Sequence, residues 1–98
     1  MDILYYNNQI RDELDGACDY IQRAIDCKDT NSDRASTFAK MSEMELDHAS
    51  KLLDMFKEDY TKEATSDSIY PQIKQLLLNM YAESYAKVKH MQELYKEM

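Results

Sequence analysis

The sequence predicts an all-α protein built from three long helices. One glycine and one proline occur in the 98 residues, so few residues are present that break helices or form tight turns. Hydrophobic residues make up 44% of the chain and recur at helical spacing in three long segments. Charged residues make up another 32%, which suits the outer faces of such helices. A chain of this length is expected to form one domain, residues 1–98.

The first predicted helix covers about residues 3–28. Glu13 and Tyr20 are polar members of its inward-facing surface. Gly16 lies in mid-helix, where glycine costs about 1 kcal/mol relative to alanine, and close packing with a neighbouring helix is one interpretation of it. Two neighbouring stripes are expected to face inward, one formed by Ile3, Ile10, Leu14, Cys18, Ile21 and Ile25, the other by Tyr6, Glu13, Ala17, Tyr20 and Ala24.

The second predicted helix covers about residues 33–60, after a short turn at residues 29–33 in which Asn31 or Ser32 is a suitable N-cap. Glu45 lies at the centre of its apolar stripe with His48 beside it, whereas Glu43 and Asp47 point to the opposite, solvated side. The apolar stripe consists of Phe38, Met41, Ser42, Ala49, Leu52 and Phe56.

The short turn predicts that the first two helices form an antiparallel hairpin. Glu13 precedes the turn by about 17 residues and Glu45 follows it by about 14, so the two carboxylates are expected within roughly one helical turn of the same height.

The third predicted helix covers about residues 69–97, with Asp67 and Ser68 as candidate caps and Pro71 in its first turn. Glu83 and His90 lie on its shoulder and are expected to be surface residues. Its expected apolar stripe consists of Ile73, Leu76, Leu77, Met80, Ser84, Val88, Met91, Leu94, Tyr95 and Met98.

The charge of the chain excludes several classes of partner. A formal net charge of −7 and a pI near 4.7 argue against nucleic acid and against anionic membranes, because both need a basic surface. No leader sequence and no apolar run of bilayer length is evident, so we expect a cytoplasmic protein. Cys18 and Cys27 are nine residues apart, do not face each other on a helix and are expected to be reduced, inert thiols.

Glu45 and His48 are the residues in which we expect the chemistry to lie. A carboxylate in an apolar seam is protonated, paired with a cation or bound to a metal, because burying an unpaired charge costs several kcal/mol. Residues three apart share a helix face, so Glu45 and His48 can both reach one ion. The Glu-x-x-His pattern on an inward-facing helix occurs in carboxylate-bridged metal sites of helical bundles.

Two features of the chain suggest a known family: Glu13 with Tyr20 on the first helix, and the segment Glu45-Leu46-Asp47-His48-Ala49 on the second. In these features the chain resembles the first half of the rubrerythrin branch of the ferritin-like superfamily. The resemblance covers roughly residues 10–56. It implies a four-helix bundle with two carboxylate-bridged metal ions, usually iron, with manganese or zinc as alternatives. Glu13 would be a terminal ligand, Glu45 a bridging and catalytic carboxylate, His48 a terminal imidazole, and Tyr20 a catalytic residue near the metals.

Glu83 could stand where a third-helix ligand of this family would, but the chain lacks a second Glu-x-x-His, so a single copy offers half of a two-metal site. A two-fold homodimer, resembling the arrangement in encapsulated ferritins, would supply the rest. The resemblance then implies oxidation of Fe(II) by dioxygen or peroxide, as in a ferroxidase. The alternative is a non-enzymatic helical protein-interaction module with a vestigial or absent metal site.

Overall fold

The computed structural model describes residues 3–61 and 70–98, and all of the regular structure within those ranges is α-helical. Helix α1 spans Ile3–Cys27, α2 spans Ser32–Thr61 and α3 spans Tyr70–Glu97. The prediction of an all-α protein with three helices is therefore confirmed. The candidate caps Asp67 and Ser68 lie outside the described residues. None of the described helices combines the length and the apolar character that crossing a membrane requires.

The turn between α1 and α2 is short and closed by backbone hydrogen bonds. The Asn31 amide donates to the Cys27 carbonyl over 2.8 Å, which ends α1. The Asn31 side-chain oxygen accepts from the Arg34 amide over 3.0 Å, so Asn31 is the N-cap of α2. Asp33 in the first turn of α2 adds a favourable interaction with the helix dipole. These contacts fold α2 back along α1 and determine which residues of the two helices lie side by side.

The far end of the hairpin is held by an aromatic cluster of Tyr6, Phe56 and Tyr60. The Tyr6 ring is buried and meets Phe56 edge-on, with 5.7 Å between ring centroids. Its hydroxyl donates a hydrogen bond to the Asp59 carboxylate, and this bond, with burial and the charge of Asp59, raises the pKa of Tyr6 to about 12. An aromatic anchor at one end and a capped turn at the other hold the hairpin in one register.

Helix α3 docks on the hairpin through a buried polar contact at Ser42. The Ser42 hydroxyl donates to the Ala17 carbonyl of α1 over 2.7 Å and accepts from the Gln92 amide of α3 over 3.1 Å. Ser42 and Gln92 are both buried, so one hydroxyl connects all three helices. Near the turn, the Lys28 ammonium donates to the Tyr95 carbonyl and lies 4.4 Å from the centre of the Tyr95 ring.

The apolar stripe predicted for α3 is too wide. Leu76, Leu94 and Met98 are exposed, whereas Leu77, Val88 and Gln92 carry the buried face. Helix α3 packs mainly against α1 and touches α2 less, so a narrow strip of its surface is covered. The stripes predicted for α1 agree with the core, which contains Ile3, Tyr6, Ile10, Leu14 and Ala17. On α2 the core includes the predicted Ala49 and Phe56 but also Leu46 and Leu53, which lie outside the predicted stripe.

We expect Ser42→Ala to lower the free energy of unfolding by about 1–3 kcal/mol, because the buried Gln92 amide would lose its acceptor. Urea unfolding followed by circular dichroism measures this. Adding Gln92→Met should recover part of the loss, since it removes the unsatisfied amide. A Ser42→Ala chain as stable as the wild type would show that this contact does not hold α3.

Candidate functional site

Glu13, Glu45 and His48 lie together on the surface of the α1–α2 hairpin. One ligand atom from each, a carboxylate oxygen or an imidazole nitrogen, lies within 4.8 Å of the other two. Glu13 comes from α1, and the other two residues come from successive turns of α2. Glu13 and Glu45 are therefore side by side, as the short turn predicts. Among the described residues, they are the one group of three or more acidic, histidine or cysteine side chains whose ligand atoms lie close enough together to share an ion.

The three side chains differ in their exposure to solvent. Glu13 has 24% of its side-chain surface exposed, and Glu45 is also partly buried. His48 has 49% of its side chain exposed, so the expectation that it lies within the apolar seam is wrong. The reason is geometric: His48 is about 60° further around α2 than Glu45, beyond the strip that α1 covers. The imidazole thus lies at the rim of the site, and the carboxylates lie deeper.

Glu13 perturbs the carboxyl group of Glu45. The pKa of Glu45 is raised from 4.5 to about 6, first by a side-chain hydrogen bond with Glu13, then by burial, then by the charge of Glu13, while His48 acts in the opposite direction. A hydrogen bond between two carboxyl groups needs a proton on one of them. The site therefore has a deficit of positive charge, which a proton, a protonated imidazole or a metal cation can supply.

One oxygen of Glu13 is buried without a hydrogen bond. Glu13 Oε2 has no partner of acceptable geometry among the described residues. The imidazole Nδ1 of His48 lies 3.5 Å from this oxygen. Unpaired buried oxygens are uncommon in folded proteins, because each one loses its hydration without compensation. Glu13 Oε2 is therefore a buried acceptor that the described residues leave unsatisfied.

The site lies on the side of the hairpin that α3 does not cover. Ser42 marks the side of α2 that faces α3, and His48 is about 120° around the helix from it, with Glu45 between them. Met44 and Met55 lie on the same outer surface as His48, with 58% and 47% of their surfaces exposed. We call Met41, Met44, His48 and Met55 the methionine stripe.

Helix α3 contributes no member of the three-residue cluster. Glu83 and His90 are both exposed on α3, as expected for surface residues.

Tyr20 is placed differently from the three ligand candidates. Its ring stacks on Phe38, with 6.2 Å between the ring centroids, and the guanidinium of Arg23 lies 5.9 Å from the centroid of the Phe38 ring. Tyr20 is also about two turns along α1 from Glu13. These contacts account for the position of Tyr20 by packing, and its catalytic role stays a prediction.

Gly16 packs closely against the neighbouring helix, which was one interpretation of this glycine, but its contact with the candidate site was not predicted. It lies on α1 opposite Glu45, and a Cβ built on it would be 3.1 Å from Glu45 Oε2. The signal was present in the sequence, because Gly16 is the single glycine of the chain and weakens the middle of a long helix. The residue that it faces could not be read from helical periodicity alone.

Comparisons of the chain with protein-family models, curated proteins and solved structures gave no match. A functional interpretation of the chain therefore depends on the site residues themselves and on the geometry that brings them together.

The residues present fit a divalent cation. Two carboxylates and one imidazole are ligands that iron, manganese and zinc accept, and two carboxylates match the charge of one such ion. Atoms that are each about 2.1 Å from one ion lie at most about 4.2 Å apart. The 4.8 Å spread of the three groups exceeds this slightly, so modest side-chain rotations would close the set around an ion. Three protein ligands would leave open coordination positions.

The raised pKa of Glu45 predicts how pH affects the metal-free protein. Because the pKa is about 6 in the folded chain and 4.5 as an unperturbed group, protonation favours the folded state. This contribution to stability is fully present below pH 4.5 and is lost as the pH rises through 6. We expect Glu45→Gln, which stays neutral, to be more stable than the wild type at pH 7 but not at pH 4.5.

Urea unfolding in the presence of a chelator, at both pH values, measures this difference. Taking the difference between Glu45→Gln and the wild type removes the contribution of the other titrating groups. A difference in the free energy of unfolding that is the same at pH 4.5 and pH 7 would contradict the coupling between Glu13 and Glu45.

Proposed function

We propose that this chain is a ferritin-like metal-binding protein in which Glu13, Glu45 and His48 form half of a two-metal site. The observation that carries the proposal is the convergence of these three side chains within 4.8 Å, with one Glu13 oxygen buried and unpaired. A bound cation would satisfy that oxygen. It would also lower the raised pKa of Glu45 by stabilising the ionised carboxylate.

A second copy of the chain is the proposed source of the other half. Members of the methionine stripe are three, four and seven residues apart, a spacing at which side chains of one helix pack against another helix. Neither α1 nor α3 covers Met44 or Met55. A two-fold axis beside this stripe would bring a second Glu13, Glu45 and His48 opposite the first set, because an isologous interface presents the same residues twice.

The proposed reaction is oxidation of Fe(II) by dioxygen or peroxide. Iron bound at the site would supply the redox chemistry: two Fe(II) ions release two electrons, which with two protons reduce one peroxide to two molecules of water. The chain would supply the carboxylates that balance the increasing positive charge, and a cation bound beside Glu45 would favour the ionised form of its carboxyl group. His48 at the exposed rim leaves a path from solvent for the oxidant.

A non-enzymatic interaction module is the alternative, and one observation favours it. The 3.5 Å separation of His48 Nδ1 and Glu13 Oε2 is compatible with a weak ion pair, and a proton shared by Glu13 and Glu45 removes the remaining repulsion. The three residues can therefore compensate one another without metal. The methionine stripe would then bind another helix, and metal affinity would be absent.

We expect the wild-type chain to bind Fe(II) and Mn(II), and Glu45→Ala or His48→Ala to lower the affinity by at least about tenfold, because each removes a direct ligand. Anaerobic titration calorimetry measures the affinity, and elemental analysis of protein purified without chelator measures the occupancy. Glu83→Ala and His90→Ala are matched controls, since they remove the same side chains from exposed positions of α3.

Metal binding that the control variants weaken as much as Glu45→Ala does would point to non-specific attraction by the acidic surface. A wild-type chain that takes up no metal after iron loading would favour the interaction module.

The proposed dimer predicts that Met44→Lys lowers both self-association and the rate of Fe(II) oxidation. A charge within the methionine stripe would oppose burial against a second chain. Analytical ultracentrifugation measures the association, and loss of chelatable Fe(II) in aerated buffer measures the oxidation. Leu76→Lys is the matched control, because Leu76 is exposed on α3, away from the site. A Met44→Lys chain that remains dimeric would place the interface elsewhere.

A further inference from the structure

Gly16 occupies a position where the backbone itself does not require glycine. No glycine among the described residues has a positive φ, and Gly16 lies within the regular helix α1. Glycine weakens a helix interior relative to alanine because it loses more conformational freedom on folding. The reason for a glycine here must therefore be the space that a side chain would fill.

That space is taken by the carboxyl group of Glu45. A Cβ on residue 16 would lie 3.1 Å from Glu45 Oε2, 3.7 Å from its carboxyl carbon and 3.8 Å from its Cγ. The first distance is tighter than ordinary carbon–oxygen contact. Glu45 would have to retreat by a few tenths of an ångström from α1 to accept even a methyl group at this position.

Such a retreat would alter the carboxyl pair. Glu13 is three residues before Gly16, so both lie on the same flank of α1. The carboxyl group of Glu45 thus lies against Gly16, with a ligand atom within 4.8 Å of one of Glu13, at one surface of α1. Moving Glu45 outward would lengthen its separation from Glu13 and widen a set of ligand atoms that already spans 4.8 Å.

We propose that Gly16 is a positioning residue, whose missing side chain lets the Glu45 carboxylate lie against α1, close enough to Glu13 for modest side-chain rotations to bring both onto a shared cation. The role in cation binding rests on the function proposed above, whereas the packing of Glu45 against residue 16 does not. Glycine at position 16 weakens α1, but a larger residue there would displace Glu45, one of the proposed metal ligands.

The packing part of the proposal is tested by a double-mutant cycle on thermal stability. Gly16→Ala should raise the melting temperature when Glu45 is also replaced by alanine, because the helix gains propensity and nothing is displaced. In the chain that keeps Glu45, the same change should raise it less or lower it. Asn8→Ala, an exposed uncharged change on α1, is the control and should have the same effect in both backgrounds.

The positioning part is tested by the affinity for Mn(II), measured by titration calorimetry. We expect Gly16→Ala to weaken Mn(II) binding by about tenfold in the wild-type background while the chain stays fully folded. In a Glu45→Asp background the carboxyl is one methylene shorter and withdrawn from residue 16, so adding Gly16→Ala should change the affinity by less than about twofold. A loss of helix packing alone would lower affinity equally in both.

Equal gains in melting temperature in both backgrounds would overturn the proposal, and so would unchanged Mn(II) affinity in a Gly16→Ala chain. Failure of the proposed function looks different: the wild-type chain would bind no metal. The stability cycle would then still decide whether Gly16 sets the position of Glu45.

Discussion

Two carboxyl groups held side by side in a partly buried surface need a proton or another positive charge near them, and Glu13 and Glu45 impose this requirement on the α1–α2 hairpin. Glu13 and Glu45 are brought together by the α1–α2 hairpin, whose level is set by the Asn31 cap and turn at one end and the Tyr6 aromatic cluster at the other. The raised pKa of Glu45 and the unpaired oxygen of Glu13 are two results of the same crowding. A protein that had no use for the pair could relieve it with one substitution.

The hairpin could be predicted well because its signals are local. A five-residue polar turn between two long periodic segments allows the two helices to pack only as an antiparallel pair. Counting residues from the turn then predicts that Glu13 and Glu45 lie at nearly the same height along the hairpin. Asn31 was one of two suitable caps, and the structure selects it. Periodicity also identified most of the buried face of α1, because that helix is covered from two sides.

Features that depend on contacts between helices were harder to predict. How much of the α3 surface is buried depends on how α3 packs against α1, and the periodicity of α3 alone does not encode this packing. Leu76 and Leu94 were therefore predicted to face inward, although both are exposed. The exposure of His48 has the same cause, since the edge of the covered strip on α2 is set by the diameter and tilt of α1. Gly16 was unusual in the sequence as a glycine in mid-helix, but only the packing of α1 against α2 showed that it faces Glu45.

The placement of α3 has a practical consequence for work on this protein. Because α3 lies behind the hairpin, its outward side around Glu83 faces away from the carboxyl pair and from the methionine stripe. A fluorophore or a solid support attached there would leave the opposite side free. Immobilised chains could therefore be exposed to ions, oxidants or free copies of the same chain with the side that carries Glu13, Glu45 and His48 presented uniformly to the flowing solution.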